Sequence, residues 1–220
     1  MKAVLFDLGG TLIKTAPPNE IFGRILAAHG IWKPLESIEL AFKEANKKVA
    51  VEDYRLPYRD FWKLYNMRIL RLLKIKEGIE DLADSITNEW WDNADLTLYP
   101  DVKEVIVKVR EMGLKTGIVT NGYLIDVLEV LSRTSLTGQF NILVGADTVG
   151  EPKPKKAIFL YAVEKLGVAS QDVLFVGDNL ESDYKGAEKA GLRPMLIDRE
   201  NKVRMQIRKV RNLREIINYL

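Results

Sequence analysis

Residues 3–11 read Ala3-Val4-Leu5-Phe6-Asp7-Leu8-Gly9-Gly10-Thr11, so four apolar residues lead directly into an acid, a leucine, two glycines and a threonine. An apolar run of this length, ended by glycines, is typical of a strand buried on both faces of a parallel sheet. Asp7 then lies at the carboxyl end of that strand, where open α/β sheets bind their ligands in a crevice lined by loops and helix N-termini. We therefore expect Asp7 to be a nucleophilic or metal-binding carboxylate.

The composition excludes several classes of protein. Hydrophobic residues make up 47% of the 220 and charged residues 29%, which predicts a soluble globular protein without a membrane segment. A near balance of 33 basic and 31 acidic residues argues against nucleic acid as a partner. The absence of cysteine excludes thiolate chemistry. No signal peptide fits before the first strand, so we expect a cytoplasmic protein, and the abundance of Lys, Arg, Glu and Ile hints at a thermophile.

The pattern along the chain predicts an α/β fold, a Rossmann-like parallel sheet flanked by helices, with a helical insertion. Residues 17–96 show only helical periodicity, which predicts a bundle of four amphipathic helices. Residues 1–16 and 97–220 are predicted to form the core domain, with further strands near 115–120, 140–144, 173–176 and 195–198. Helices are expected at 102–112, where Asp101 could cap the first turn, and at 123–133, 155–166, 187–190 and 213–220. The basic segment 201–211 is interpreted as a solvated face or loop.

Polar clusters follow these strands. Thr120-Asn121-Gly122 comes after one strand and Asp178 after another, so a single parallel sheet brings them to the same edge as Asp7. Carboxylates gathered at one edge repel each other unless a cation neutralises them, and an all-oxygen ligand set with water favours Mg²⁺. Asp7 and Asp178 are the leading ligands.

Lys153 lies between Pro152 and Pro154, which stiffen the backbone on either side of its ammonium group. A lysine held in this way beside carboxylates suits an anionic substrate. The Thr120 hydroxyl and the N–H groups of Asn121 and Gly122, at a predicted helix N-terminus, add donors for phosphate oxygens. Together these groups suit phosphoryl transfer through a carboxylate nucleophile, although each one singly is also explained as a helix cap or a surface residue.

The order of these motifs resembles the haloacid dehalogenase-like (HAD) hydrolase superfamily. Four motifs carry the resemblance, and they occur as Asp7-Leu8-Gly9-Gly10-Thr11, Thr120-Asn121-Gly122, Lys153-Pro154, and Gly177-Asp178 with Asp183 five residues after Asp178. The insertion at 17–96 resembles the helical cap of that superfamily. The resemblance implies that Asp7 is the nucleophile attacking phosphorus, that Lys153 stabilises Asp7 and the phosphoryl charge, and that Thr11 supports the loop.

The same resemblance implies the binding groups. The phosphate-binding set is Thr11, Thr120, Asn121, Gly122 and Lys153. The metal set is Asp7, the backbone carbonyl of Gly9, Asp178 as a direct Mg²⁺ ligand, and Asp183, which orients or hydrates the metal.

One position departs from the family pattern. Phosphatases of this superfamily usually carry a second acid two residues after the nucleophile, and here that residue is Gly9. The expected activity is therefore Mg²⁺-dependent hydrolysis of a small phosphorylated metabolite, weak and better on aryl than on alkyl phosphates, by a monomer or homodimer. A dehalogenase or other carbon-centre hydrolase, a catalytically silent phosphate-binding protein, and phosphotransfer to an acceptor other than water stay open as alternatives.

Overall fold

The computed structural model describes residues 1–220, which divide into two compact units. Unit 1 consists of Met1–Lys14 and Thr97–Leu220, and unit 2 of Thr15–Leu96. None of the helices is long and apolar enough to cross a membrane.

Eight strands lie in unit 1. In chain order they are β1 (Ala3–Phe6), β2 (Ile13–Lys14), β3 (Thr97–Leu98), β4 (Lys115–Val119), β5 (Ile142–Val144), β6 (Val173–Gly177), β7 (Arg193–Ile197) and β8 (Lys209–Val210). Six of them form one sheet in the order β5-β4-β1-β6-β7-β8, and β2 and β3 pair separately as a short antiparallel ribbon.

Strand β1 lies inside the sheet and pairs in parallel with β4 on one side and β6 on the other. All four of its residues are buried, as expected for a strand covered on both faces. Every other pair in this sheet is parallel too. The predicted α/β fold with a parallel sheet flanked by helices is confirmed.

Nine α-helices accompany the strands. They are α1 (Pro18–Ala28), α2 (Leu35–Asn46), α3 (Tyr58–Leu72), α4 (Ile79–Glu89), α5 (Val102–Glu111), α6 (Leu124–Arg133), α7 (Ala146–Val149), α8 (Lys156–Leu166) and α9 (Lys185–Lys189). A π-helical turn at Leu180–Tyr184 precedes α9, and 3₁₀ helices occupy Val51–Arg55, Ser170–Asp172 and Leu213–Tyr219.

Unit 2 contains α1 to α4, the four helices predicted from periodicity. Their apolar faces enclose one core built around Phe22, Ile38 and Ile69, with Tyr65 and its neighbours Phe61 and Trp62 in mutual ring contact. The aromatic residues of α3 therefore pack within the bundle. The assignment of this unit as a cap stays a prediction.

The core of unit 1 continues from the sheet into α8. Phe159 of α8 meets Phe175 of β6 edge to face, with ring centres 4.9 Å apart. Both rings are fully buried together with Leu5 of β1. This packing fixes β1 and β6, the two strands that end in acids.

One local expectation is wrong, and two others hold only in part. The Asp101 side chain does not cap α5, because its carboxylate binds Arg199 and the N–H of Leu213. The basic segment contains β8, which is only two residues long and therefore leaves no periodic signal. The final helix is present as a 3₁₀ helix over Leu213–Tyr219.

Candidate active site

The sheet brings the predicted polar residues to one edge. Phe6 is in register with Ile118 of β4 and with Val176 of β6, so Asp7, Thr120 and Asp178 all lie just beyond neighbouring strand ends. The N–H of Asp7 also donates to the carbonyl of Val176 at 2.8 Å. This is the edge at which parallel sheets bind ligands.

Lys153 contacts two carboxylates at this edge. Its Nζ lies 2.6 Å from Oδ1 of Asp7 and 2.7 Å from Oδ1 of Asp183. The Lys153 side chain is only 2% exposed, and those of Asp7 and Asp183 are 10% and 2% exposed. One ammonium between two carboxylates leaves a buried group with a net negative charge, which favours a further cation.

Asn121 holds the backbone of Lys153. Its Oδ1 accepts the Lys153 N–H at 2.7 Å, and its Nδ2 donates to the Lys153 carbonyl at 3.1 Å. The Asn121 side chain is thus bonded within the protein. Local sequence gives no signal for this contact, since 32 residues separate the two positions.

Three carboxylates form a candidate metal site. Oxygen atoms of Asp7, Asp178 and Asp183 all lie within 4.8 Å of one another. Asp183 is oriented further by the N–H of Asn179, which donates to Oδ2 at 3.0 Å. Asn179 is itself fixed, because its Oδ1 accepts the N–H groups of Glu181 and Ser182 at the start of the π-helical turn. An oxygen-only cluster of this kind matches a hard divalent cation such as Mg²⁺.

Glycines allow the close approach of these segments. Gly10 has φ +74°, and a Cβ there would lie 2.1 Å from Oδ2 of Asp178. A Cβ at Gly177 would lie 2.5 Å from the Asp183 carboxylate. Gly9 differs, since no atom lies within 4 Å of the position its Cβ would take. The first two glycines are required by contact with acids, whereas Gly9 borders open space.

Burial and neighbouring charges together raise the pKa of Asp7, of Asp178 and of Lys153. Burial raises the pKa of Asp7 to about 7, opposed by the Lys153 ammonium and reinforced by Asp183 and Asp178. Partial desolvation and then the charge of Asp183 raise the pKa of Asp178. Burial alone would lower the pKa of Lys153, but the Asp7 and Asp183 carboxylates outweigh it and hold that pKa above its ordinary value. A bound cation therefore stabilises the cluster, and an added negative charge destabilises it.

The remaining predicted phosphate-binding residues lie close by, with part of their hydrogen-bonding capacity used. The Thr11 hydroxyl is buried and points to Oδ2 of Asp7 at 3.4 Å. The Thr120 hydroxyl accepts the N–H of Gly122 at 3.3 Å. Helix α6 begins at Leu124, one residue after the predicted start, so Asn121 and Gly122 lie directly before its N-terminus. Their role in binding phosphate stays a prediction.

The first N–H of α6 is also occupied. It belongs to Leu124 and donates to Oδ1 of Asp147 at 2.9 Å. The Asp147 carboxylate therefore occupies this donor, which is not among the groups predicted to bind phosphate.

Comparison with known proteins places the chain among hydrolases. A family model described as haloacid dehalogenase-like hydrolase matches residues 1–191. The chain is 38% identical to a glyceraldehyde 3-phosphate phosphatase of Methanopyrus kandleri over 106 residues, 48% of this chain and 46% of that protein. The chain thus aligns with about half the length of that relative. It is 26% identical to the glyceraldehyde 3-phosphate phosphatase of Pyrococcus abyssi over 88% of this chain and 79% of that one.

Solved structures share the fold over the whole chain. A HAD phosphatase from Thermococcus onnurineus superposes with a TM-score of 0.70 at 28% identity, covering 100% of this chain and 97% of that one. A 2-haloacid dehalogenase from Pseudomonas syringae gives a TM-score of 0.75 at 22% identity, covering 99% of this chain and 97% of that one. At that identity the second likeness establishes the fold alone.

Proposed function

The chain belongs to the haloacid dehalogenase-like hydrolase family, and on that premise we propose that it is a Mg²⁺-dependent phosphatase of small phosphorylated metabolites. Asp7 is the nucleophile, and the reaction passes through an aspartyl-phosphate on its carboxylate. The observation that carries the proposal is the buried Lys153, whose ammonium contacts Asp7 beside a cluster of three carboxylates. The phosphatase names of the relatives support the substrate class.

The residues present fit a magnesium ion. Asp7, Asp178 and the Gly9 carbonyl are the proposed direct ligands, and Asp183 orients or hydrates the ion. The donors are all oxygen, and the carboxylates carry more charge than Lys153 neutralises. Bound there, the cation offsets the repulsion between Asp7 and a phosphate dianion and polarises the phosphoryl group.

The chain's own residues carry the chemistry in two steps. One carboxylate oxygen of Asp7 forms a bond to phosphorus while the bond from phosphorus to the substrate oxygen breaks, and the leaving oxygen takes that electron pair and a proton from water. A water oxygen then attacks the same phosphorus. The bond from phosphorus to the Asp7 oxygen breaks, the carboxylate is regenerated, and the water proton leaves with phosphate or solvent. Lys153 and the Thr120 hydroxyl stabilise the phosphoryl oxygens throughout.

Gly9 determines which leaving groups react well. It has no side chain to protonate the departing oxygen, and the space around it holds no substitute within 4 Å of its Cβ position. An alkoxide departs poorly without a proton, whereas a phenolate does not need one. General acid catalysis is worth about 10²- to 10⁴-fold, so turnover persists but favours aryl phosphates.

Dehalogenase chemistry is the second candidate because dehalogenases share the fold. It needs a carboxylate nucleophile but no divalent cation, and it leaves Asp178 without a role. The approach of Asp178 to Gly10, and its place in the three-carboxylate cluster, favour phosphoryl transfer with a metal. Transfer to an acceptor other than water uses the same first step.

The test is hydrolysis of p-nitrophenyl phosphate by the purified chain, with Mg²⁺ and with EDTA, at moderate and elevated temperature. Turnover with Mg²⁺, loss with EDTA and loss in Asp7→Asn are expected. Asp172→Asn is the control, since this aspartate pairs only with the exposed Lys2. Absence of turnover in every condition, with chloride released from a 2-haloacid, contradicts the proposal. Cytoplasmic location and a monomeric or dimeric state stay predictions.

A further inference from the structure

Arg199 joins distant parts of unit 1. Its Nη2 donates to the carbonyl of Thr11 at 2.8 Å, and Nη1 and Nη2 donate to the Asp101 carboxylate at 3.0 and 3.2 Å. Its Cζ lies 3.6 Å from the centre of the Tyr99 ring. Asp101 also accepts the N–H of Leu213 at 2.6 Å. One guanidinium thus connects the first loop, the start of α5 and the C-terminal 3₁₀ helix.

The Thr11 carbonyl belongs to the loop that begins at Asp7. Within this loop the N–H of Leu12 donates to the carbonyl of Leu8 at 2.9 Å, and the N–H of Gly10 donates to the carbonyl of Ile13 at 2.9 Å. The Thr11 hydroxyl points back to Asp7. Because the loop is bonded internally, a shift of Thr11 also moves the backbone next to the Asp7 carboxylate.

The contacts need an arginine. Its planar fork serves two acceptors at once while its face stacks on an aromatic ring, whereas a lysine offers a single point charge. The buried Nε of Arg199 has no hydrogen-bond partner, so the Nη groups and the Tyr99 ring hold the side chain. Its guanidinium makes no hydrogen bond or ion pair with the carboxylate cluster, although its charge acts on Asp178 at longer range; its bonded partners are Asp101 and Thr11.

We propose that Arg199 is a positioning residue for the nucleophile: by fixing the Thr11 carbonyl it holds the 7–11 loop, and with it Asp7, in the geometry for attack on phosphorus. The role rests on the proposed phosphatase function. It acts on the reacting geometry and not on substrate affinity, because Lys153 and Thr120 bind the phosphoryl group without contacting Arg199.

The test compares Arg199→Lys and Arg199→Met with a matched control, Arg193→Lys. Arg193 is the first residue of β7, the strand that ends two residues before Arg199, and its guanidinium also donates to a backbone carbonyl, from Nε to Gln171 at 2.7 Å. Hydrogen exchange of the 7–13 segment, the melting temperature, and kcat and KM for p-nitrophenyl phosphate are measured for each protein. Arg199→Lys keeps the positive charge, so it can still be measured if Arg199→Met does not fold.

We expect Arg199→Lys to lower kcat by about 10- to 100-fold, the cost typical of a displaced reacting group, with KM within about twofold. Exchange of the 7–13 segment should rise in the same variant, and Arg193→Lys should match wild type in all readouts. Unchanged exchange overturns the proposal, as does unchanged kcat or a rise in KM that accounts for the loss. If the wild-type chain has no turnover, the proposed function fails, and the exchange comparison alone then decides whether Arg199 holds the loop.

Discussion

Replacing Lys153 by methionine tests the electrostatics of the buried cluster. The substitution keeps most of the side-chain volume and removes the ammonium that contacts both Asp7 and Asp183. In metal-free protein at pH 8 the variant must then either hold two buried carboxylates without a counter-charge or bind a proton at Asp7. We expect a large loss in the free energy of unfolding of unit 1.

The structure sets the size of that loss. At 4.8 Å, the bound on the separation of the carboxylate oxygens, two unit charges repel by about 3.5 kcal/mol for an effective dielectric constant of about 20. This repulsion is present in both proteins, and Lys153 is the group that offsets it in the wild type. Removing one partner of a buried ion pair typically costs about 3–5 kcal/mol. The cost of breaking the buried pair is the expected loss, about 3–5 kcal/mol at pH 8.

The loss should shrink at low pH. Burial already raises the pKa of Asp7 to about 7, so the folded protein binds a proton there more tightly than the unfolded chain does. The stability of the folded state therefore falls as pH rises through that value. Without Lys153 the pKa of Asp7 rises further, which makes the fall between acidic and alkaline pH steeper in the variant.

The assay must report on unit 1. All four tryptophans lie between residues 32 and 91, within unit 2, so their fluorescence does not follow the unfolding of β1 and β6. Urea-dependent hydrogen exchange of the β1 and β6 segments measures the free energy of unfolding of unit 1. It is recorded in EDTA at about pH 5.5 and about pH 8, on either side of the Asp7 pKa.

Lys2→Met is the control for Lys153→Met, because Lys2 also lies in unit 1. Its Nζ pairs with the carboxylate of Asp172 at 3.0 Å, but its side chain is 66% exposed. Surface pairs of this kind contribute little, so this variant should be close to wild type. Equal stability of Lys153→Met and wild type at pH 8 without metal would refute the electrostatic reasoning.

Three further predictions concern single residues. Gly9→Asp should raise turnover on alkyl phosphates by up to about 10²- to 10⁴-fold with a smaller gain on p-nitrophenyl phosphate, and equal gains on both would contradict the missing-acid argument. Asn121→Ala removes both bonds to the Lys153 backbone and should lower stability by about 1–3 kcal/mol together with kcat, measured by denaturation and steady-state kinetics; an unchanged kcat would show that Lys153 is held without it. Burial tends to raise the pKa of Asp101, but Arg199 and backbone donors outweigh burial and hold that pKa below its ordinary value. The ionised Asp101 therefore stabilises the folded state above about pH 4, and this contribution is lost as pH falls through the lowered pKa. Asp101→Asn should therefore lower the melting temperature at neutral pH and weaken its acid dependence, whereas parallel pH curves for both proteins would contradict this.

Part of the fold follows directly from local sequence. Residues 3–6 and 173–176 are uninterrupted apolar runs followed within two residues by an acid, and both are buried parallel strands in adjacent positions. Because parallel strands end at one edge, the meeting of Asp7 with Asp178 was predictable without coordinates. The four helices of unit 2 were predictable for a similar reason, since each has one apolar face.

The contacts that orient the site were not predictable in this way. Lys153 reaches Asp7 across 146 residues of sequence, a pairing that the family resemblance implies but no local pattern does. Arg199 reaches Thr11 across 188 residues, and neither source of prediction indicated that contact. Such pairs depend on tertiary packing, which the hydrophobic periodicity of the sequence does not predict. Asp101 shows the same limit of local reasoning. It is a residue type that often caps helices and it directly precedes α5, but its carboxylate accepts hydrogen bonds from Arg199 and Leu213 instead.

Rapid quenching of a single turnover tests the proposed phosphoryl transfer most directly. The chain is mixed with p-nitrophenyl phosphate and Mg²⁺, quenched in acid during the first turnover, digested, and examined by mass spectrometry. The peptide that contains Asp7 should carry one added phosphoryl group that hydroxylamine removes, and neither EDTA-treated protein nor Asp7→Asn should carry it. Release of p-nitrophenol at the same rate with no phosphoryl group on that peptide would contradict Asp7 as the nucleophile.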